Sequence, residues 1–221
     1  MELMTAVKER HSVRRYLDQP IETDAPQALQ EEISACNREG NLHIQLVTNE
    51  PKAFDSLMAH YGKFSGVTNY LALVGEKDPS LEERCGYYGE RLVLKAQQLG
   101  LNTCWVAMTY KKIPGAFEVK KGEKLTVVIA LGHGAVQGVP HPSKTLQDVS
   151  NWDETMPDWF RLGVECALLA PTAMNQQKFT LTYADGMVTA KAGTGFYTKT
   201  DLGIVKYHFE IGCGEKDVRW K

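Results

Sequence analysis

The sequence predicts an α+β fold: a mixed sheet with helices packed on it. Three observations carry this. Helical stretches and short alternating runs do not follow one another in a regular strand–helix–strand series. One long stretch, Ser80 to Leu99, carries Tyr88, Leu92, Leu94, Ala96 and Leu99 and so reads as a central, mostly buried helix. The chain has 221 residues, 43% of them hydrophobic, enough core for one large domain or two merged halves.

The elements follow in order. Leu3 to Glu9 places Leu3, Met4 and Val7 on one helical face. Arg10 to Tyr16 breaks that pattern. Gln19-Pro20 and Thr23-Asp24-Ala25-Pro26 mark a loop and a helix start with Asp24 as cap, and Ala28 to Arg38 is helical. Leu42 to Val47 alternates as a strand, Phe54 to His60 reads as a helix, and Tyr70 to Val74 as a more buried strand. Pro79 opens the long helix and Gly100 stops it. Asn102 to Ala107 and Leu125 to Leu131 are strands, the second ended by Gly132-His133-Gly134. Residues 134–156 form an ordered crossing loop, long enough to favour a functional or wrapping role. Pro157 starts an apolar helix through Leu169. Phe179 to Tyr183 and Met187 to Ala192 pair across an Asp185-Gly186 turn, and Asp201 to Glu210 is the last helix. The order helix, polar break, strand at Ala28–Val47 recurs at Trp159–Tyr183, a faint internal echo.

Composition excludes several classes. The net charge is −2, so no basic excess points to nucleic acid. The five cysteines form no CxxC pair and no zinc spacing, which reads as buried free thiols in a reducing compartment. No apolar run approaches the roughly 18 residues that span a bilayer. A soluble, cytoplasmic protein without a membrane partner is the expectation. No HExxH, EF-hand or GxSxG pattern occurs, so neither a metal site nor a serine nucleophile has support.

Two segments carry chemistry. In Arg10-His11-Ser12-Val13-Arg14, alternate side chains of an extended chain share a face. Two guanidinium groups and a hydroxyl there would receive a phosphate. The same residues also fit a solvated basic turn pairing with Glu9 and Asp18. In Ala170-Pro171-Thr172-Ala173-Met174-Asn175-Gln176-Gln177, small residues admit a flat ligand while Thr172 and Asn175 offer hydrogen bonds. It equally fits an ordinary helix-to-strand loop. Gly132-His133-Gly134 has neither the GxGxxG nor the GxxxxGK spacing. With no side-chain catalytic motif, an enzyme built on this chain would rely on a cofactor.

These segments resemble the FMN-dependent nitroreductases. Arg10 to Tyr16 is similar to their R-[RH]-S-x-[RK]-x-[FY] opening, and Ala170 to Gln177 to their A-P-S-x-x-N-x-Q segment. Leu99 to Val106 resembles their L-G-L-x-[ST] strand, and Pro142-Ser143-Lys144 their late basic stretch. The resemblance implies the nitroreductase-like α+β fold with FMN held at an interface. Arg10, Ser12 and Lys144 would hold the phosphate, with His11 adding contacts. Arg14 would sit near the pyrimidine edge, where a cation stabilises negative charge on the reduced ring. Pro171, Thr172, Ala173 and Asn175 would line the opposite wall. Trp105, Val106 and Ala107 would approach the reactive ring nitrogen through backbone amides.

The departures matter as much. Family members carry the A-P-S segment soon after the opening motif, where this chain has Glu39-Gly40-Asn41-Leu42-His43. Lys178-Phe179 replaces the Pro-Trp that follows the family's Gln, and Ala107-Met108 stands where many members have Glu-Gly or Gly-Gly. This pattern resembles a divergent subgroup in which one chain mimics the family dimer, with halves at about 1–133 and 134–221. A monomer mimicking a dimer, or a homodimer, is expected. The implied activity is hydride transfer from NAD(P)H through FMN to a nitroaromatic, quinone or similar small acceptor, in a ping-pong cycle with no catalytic side chain. The alternative is a flavin-binding or sensing module with little turnover.

Overall fold

The computed structural model describes residues 1–21 and 24–221. Thr23, expected in the loop before the first long helix, lies outside the described residues. The chain forms two compact units, Met1–Leu81 with Arg91–Pro140, and Glu82–Glu90 with His141–Lys221.

The first unit opens with helix α1 (Leu3–Glu9) and helix α2 (Asp24–Gly40), which takes Asp24, expected as its cap, into its first turn and extends beyond the expected Ala28–Arg38 at both ends. Strand β1 (Gln45–Val47) is shorter than the expected Leu42–Val47. The expected first residues still reach the neighbouring strand in register, through a Leu42–Gly75 bridge and the His43 N–H donating to the Val74 carbonyl at 2.8 Å. On the other side the Asn37 side-chain amide donates to the Ile44 carbonyl at 3.0 Å and accepts from the Ile44 N–H at 2.7 Å, which satisfies the edge. Helix α3 (Leu57–Tyr61) likewise starts later than the expected Phe54. The Glu50 carboxylate accepts from the Lys52 and Ala53 N–H groups, shaping a turn first, and Ser56 then caps the helix through the Ala59 N–H.

Strand β2 (Asn69–Glu76) is buried along all but its last residue. Helix α4 (Leu81–Gln98) ends as the sequence predicts: Gly100 has φ +78°, and the Gly100 and Leu101 N–H groups return to Gln97 and Ala96. This left-handed close satisfies carbonyls the helix would leave open. Strands β3 (Asn102–Val106) and β4 (Glu123–Gly132) complete a sheet of order β1-β2-β4-β3. Its paired strands are all antiparallel. The parallel pairing expected of a mixed sheet occurs in this unit only as isolated bridges, Ser12 with Thr103 and Arg15 with Ser65. Val13, Tyr16, Phe54, Phe64, Tyr70 and Val106 pack into one core on this sheet.

In the second unit, the crossing loop contains a short helix, α5 (Leu146–Val149), not anticipated from its polar composition. A Thr145–Asp148 capping box starts it. Helix α6 (Asp158–Ala167) follows Pro157 and ends before the expected Leu169. Strands β5 (Phe179–Ala184) and β6 (Met187–Ala192) form the predicted hairpin, with Asp185 and Gly186 both at positive φ, as a two-residue turn requires. Helix α7 (Thr198–Gly212) closes the unit. Within it, Gly203 and Gly86 bring α7 and the Glu82–Glu90 stretch of α4 together. A Cβ on Gly203 would overlap the Glu83 carbonyl oxygen, and one on Gly86 the Thr200 carbonyl oxygen. Beside this crossing His208 and Glu90 are fully buried and bonded at 2.9 Å.

All five cysteines are free and buried. Among the described residues, no helix is long and apolar enough to cross a membrane.

Candidate functional site

In the first unit the chain leaves α1 at Arg10 in extended conformation, φ −68° and ψ 117°. It runs beside the free edge of β3, where the Val13 N–H donates to the Thr103 carbonyl at 3.0 Å. Period two then sorts the side chains. Val13 points into the core, while Ser12 and Arg14 stay exposed. Arg10 is buried to 4% exposure, and His11 is half-buried. Arg15, expected to face away from Arg14, is also exposed, and its carbonyl accepts from the Ala135 N–H.

Arg10, Ser12 and Arg14 converge on Cys104. Burial pushes the Cys104 thiol up from its ordinary value, while the Arg14 charge, a Ser12 hydrogen bond and the Arg10 charge act against it. Burial wins, so the protonated thiol is favoured over the thiolate.

Arg14 also lines a cavity of about 460 Å³. Trp105, Val106 and Ala107 form its wall at the end of β3, and Tyr61, Gly62, Lys63, Phe64 and Thr109 the remainder. The Arg14 guanidinium lies over the Phe64 ring, 5.9 Å from its centroid. A volume of this size suits a small molecule or a flat cofactor ring. The structure thus gathers Arg14 with Trp105–Ala107, residues 91 to 93 positions apart. Tyr61 to Phe64 and Thr109 carry no motif that would have found them. They arrive through a turn with Lys63 at φ +62°, closed because Gly62 has no Cβ to strike Thr109.

In the second unit, Lys144 meets the predicted flavin wall. Gln177, buried to 3% exposure, links them. Its Oε1 accepts from the Lys144 N–H at 2.9 Å, and its Nε2 donates to the Pro142 carbonyl and to Asn175 Oδ1, both at 2.8 Å. The Lys144 Nζ donates to the Gln177 carbonyl at 2.9 Å, leaving further N–H donors on that ammonium. Asn175 Nδ2 donates to the Pro142 carbonyl, and Thr172 Oγ1 accepts from the Gln177 N–H. Pro171 is buried, Thr172, Ala173 and Asn175 are half-buried, and Met174 is exposed.

This segment makes a tight 3-10 turn at Ala173–Asn175. Met174, Asn175 and Gln177 have φ of 52°, 51° and 44°. Asn tolerates the left-handed region, but Met and Gln cost about 1–3 kcal/mol each there. Neighbours must therefore hold the turn. Asp201, in the first turn of α7, accepts from the Ala173 N–H at 2.9 Å and from Gln176 Nε2 at 2.7 Å. Burial pushes the Asp201 carboxyl up to about 6, against the pull of those two bonds. Gln177 stood inside the recognised motif without a role of its own. Asp201 gave no sequence signal, because an Asp early in a helix is ordinary.

Comparison with known proteins adds to this geometry. The model of a family described as "Putative TM nitroreductase" matches residues 2–213. A "putative nitroreductase" of Thermotoga maritima is 22% identical, with a TM-score of 0.67, over 96% of this chain and 83% of its own. A "putative nitroreductase in complex with FMN" from Desulfovibrio desulfuricans is 15% identical, with a TM-score of 0.55, over 71% of this chain and 99% of its own. A "Putative NADH dehydrogenase/NAD(P)H nitroreductase" from Parabacteroides distasonis is 20% identical, with a TM-score of 0.52, over 66% of this chain and 95% of its own. No curated protein matches the chain.

Proposed function

Because this chain belongs to the family described as "Putative TM nitroreductase" and has the α+β nitroreductase fold, we propose that it is an FMN-dependent oxidoreductase. It would pass hydride from NAD(P)H to a nitroaromatic, quinone or similar acceptor in a ping-pong cycle. The observation that carries this reading is the shared cavity of Arg14 and Trp105–Ala107. The Desulfovibrio relative bound to FMN supports it.

The residues fit the group. The first unit offers two permanent cations and an exposed hydroxyl around one point, at Arg10, Arg14 and Ser12, with His11 beside them. These are the donors a phosphate and the polar edge of a flavin require. The aromatic side chains of Tyr61, Phe64 and Trp105 line the cavity and suit a flat ring. Arg14 stands over Phe64, where its charge can tune the ring's electronics. Lys144, Pro171, Thr172, Ala173 and Asn175 are carried over from the family motifs as the second set of contacts. When bound, FMN supplies two-electron transfer, so no side chain needs to act as acid, base or nucleophile.

The test is anaerobic addition of NADH or NADPH to purified, FMN-loaded protein, followed by a quinone or nitroaromatic. Bleaching by one nucleotide and recovery with the acceptor is the expected result. Protein that holds FMN but is not reduced would instead be a flavin-binding module. Protein that takes up no FMN would sink the reading.

A further inference from the structure

The Ala173–Gln176 turn is unusual in being both strained and doubly tethered. Left-handed backbone at Met174 and Asn175 persists only where the surroundings over-determine it. On one side the tether is the Gln177 amide, which does not titrate. On the other it is a carboxylate. Asp201 is only 4% exposed, and each of its oxygens takes one bond from the turn, from the Ala173 N–H and from Gln176 Nε2. Gln176 Nε2 is also shared with the Phe196 carbonyl, so the same amide ties the turn to the segment before α7.

We propose that Asp201 is the positioning residue of this turn: its ionised carboxylate holds Ala173–Gln176 in the shape that meets the flavin, and protonation loosens that hold. The proposal rests on the FMN reading above. The physical argument is one of donors and acceptors. An ionised carboxylate only accepts, which matches two incoming N–H groups. A protonated carboxyl carries a hydrogen on one oxygen, so one of the two bonds weakens and the other loses its charge assistance.

Neighbouring charges are already engaged. Glu83, on the stretch of α4 that packs against α7, pairs with Lys206, and Tyr87 on that stretch donates to Glu210. Glu90 bonds His208. Lys178 at the start of the hairpin donates to the Thr194 carbonyl, and Lys199 on α7 itself is exposed. Among the described residues, burial and the two bonds to the turn account for the position of the Asp201 carboxyl, at about 6. That places its titration inside an accessible pH range.

The test compares the parent protein with Asp201→Asn, which keeps the shape and presents an acceptor on one side only. FMN dissociation constants are measured by flavin fluorescence from about pH 5 to about pH 8. The FMN phosphate titrates near 6 as well, but it does so equally in both proteins and cancels in their ratio. At the alkaline end the variant should bind about tenfold more weakly, the worth of one charge-assisted bond. The ratio should fall towards one as pH drops through about 6. A ratio that is flat with pH, or one throughout, would overturn the proposal. Hydrogen exchange at the Ala173 amide gives a readout without flavin. It should accelerate in Asp201→Ala while β5 and β6 keep their protection. If the parent took up no FMN, the functional reading would fail, and unchanged Ala173 exchange would separately sink the role of Asp201.

Discussion

Gln177→Ala should be among the most damaging single substitutions in the second unit. The wild-type side chain is buried and makes three hydrogen bonds, to the Lys144 N–H, the Pro142 carbonyl and Asn175 Oδ1. Alanine removes all three and leaves the Lys144 N–H to find another partner, while the Pro142 carbonyl keeps the Asn175 Nδ2 donor. A typical intramolecular bond contributes about 1 kcal/mol net, and a stranded buried partner costs about 1–3 kcal/mol. Partial access of water to the exposed Pro142–Lys144 stretch moderates the second figure. The expected loss is about 3 kcal/mol. Urea unfolding of the apo protein, followed by far-UV circular dichroism, measures it. Because two units can unfold separately, the transition must be tested for two-state behaviour before a free energy is taken. The control is Lys178→Ala at the next, exposed position, which should stay within about 0.5 kcal/mol of the parent. If Gln177→Ala also stayed within that margin, the proposed lock between Lys144 and the Thr172–Asn175 segment would be wrong.

Other consequences follow from the same geometry. Arg10→Ala should weaken FMN binding by about 1.5–3 kcal/mol, the worth of a charge-assisted hydrogen bond, in an equilibrium titration. Gly203→Ala places a methyl group against the Glu83 carbonyl and should cost about 1–3 kcal/mol or more by thermal or urea unfolding, whereas Gly122→Ala has no neighbour to strike and suffers only its positive φ. Asp201 makes a signed pH prediction for stability. Its folded-state carboxyl is raised from 3.8 to about 6, so its contribution is fully present below the lower value and is lost as pH rises through about 6. Over that window the parent should lose about 3 kcal/mol relative to Asp201→Asn, as an order of magnitude. Unfolding free energies of both proteins across the range check this, and a constant difference would refute it. Stability and FMN affinity should therefore respond to pH with opposite signs.

Most of the secondary structure was legible because local signals and tertiary structure agree. Gly100 ends α4 where a left-handed residue is needed, and Asp185-Gly186 makes the hairpin turn. Element ends are less legible, because side-chain bonds and caps set them. The Glu50 carboxylate holds the Lys52 and Ala53 N–H groups in a turn, and the Ser56 cap starts α3 after it. Alternation within a segment does not reveal such partners. The candidate site was legible in the same uneven way. Arg14 and Trp105–Ala107 could be picked out by motif, and they line one cavity. Tyr61, Lys63 and Phe64 come to it through an irregular turn that no periodicity marks. Asp201 acts through two hydrogen bonds to a segment 25 to 28 positions away, and only the folded chain shows them.

The proposed flavin site on the Arg10–Arg14 and Trp105–Ala107 surfaces is tested by the absorbance spectrum of protein loaded with FMN, desalted, and quantified for flavin per chain by denaturation, with Arg14→Ala in parallel. A yellow protein retaining one FMN per chain is expected, with reduced retention in the variant. Colourless protein after loading with excess FMN, or equal retention by Arg14→Ala, would contradict it.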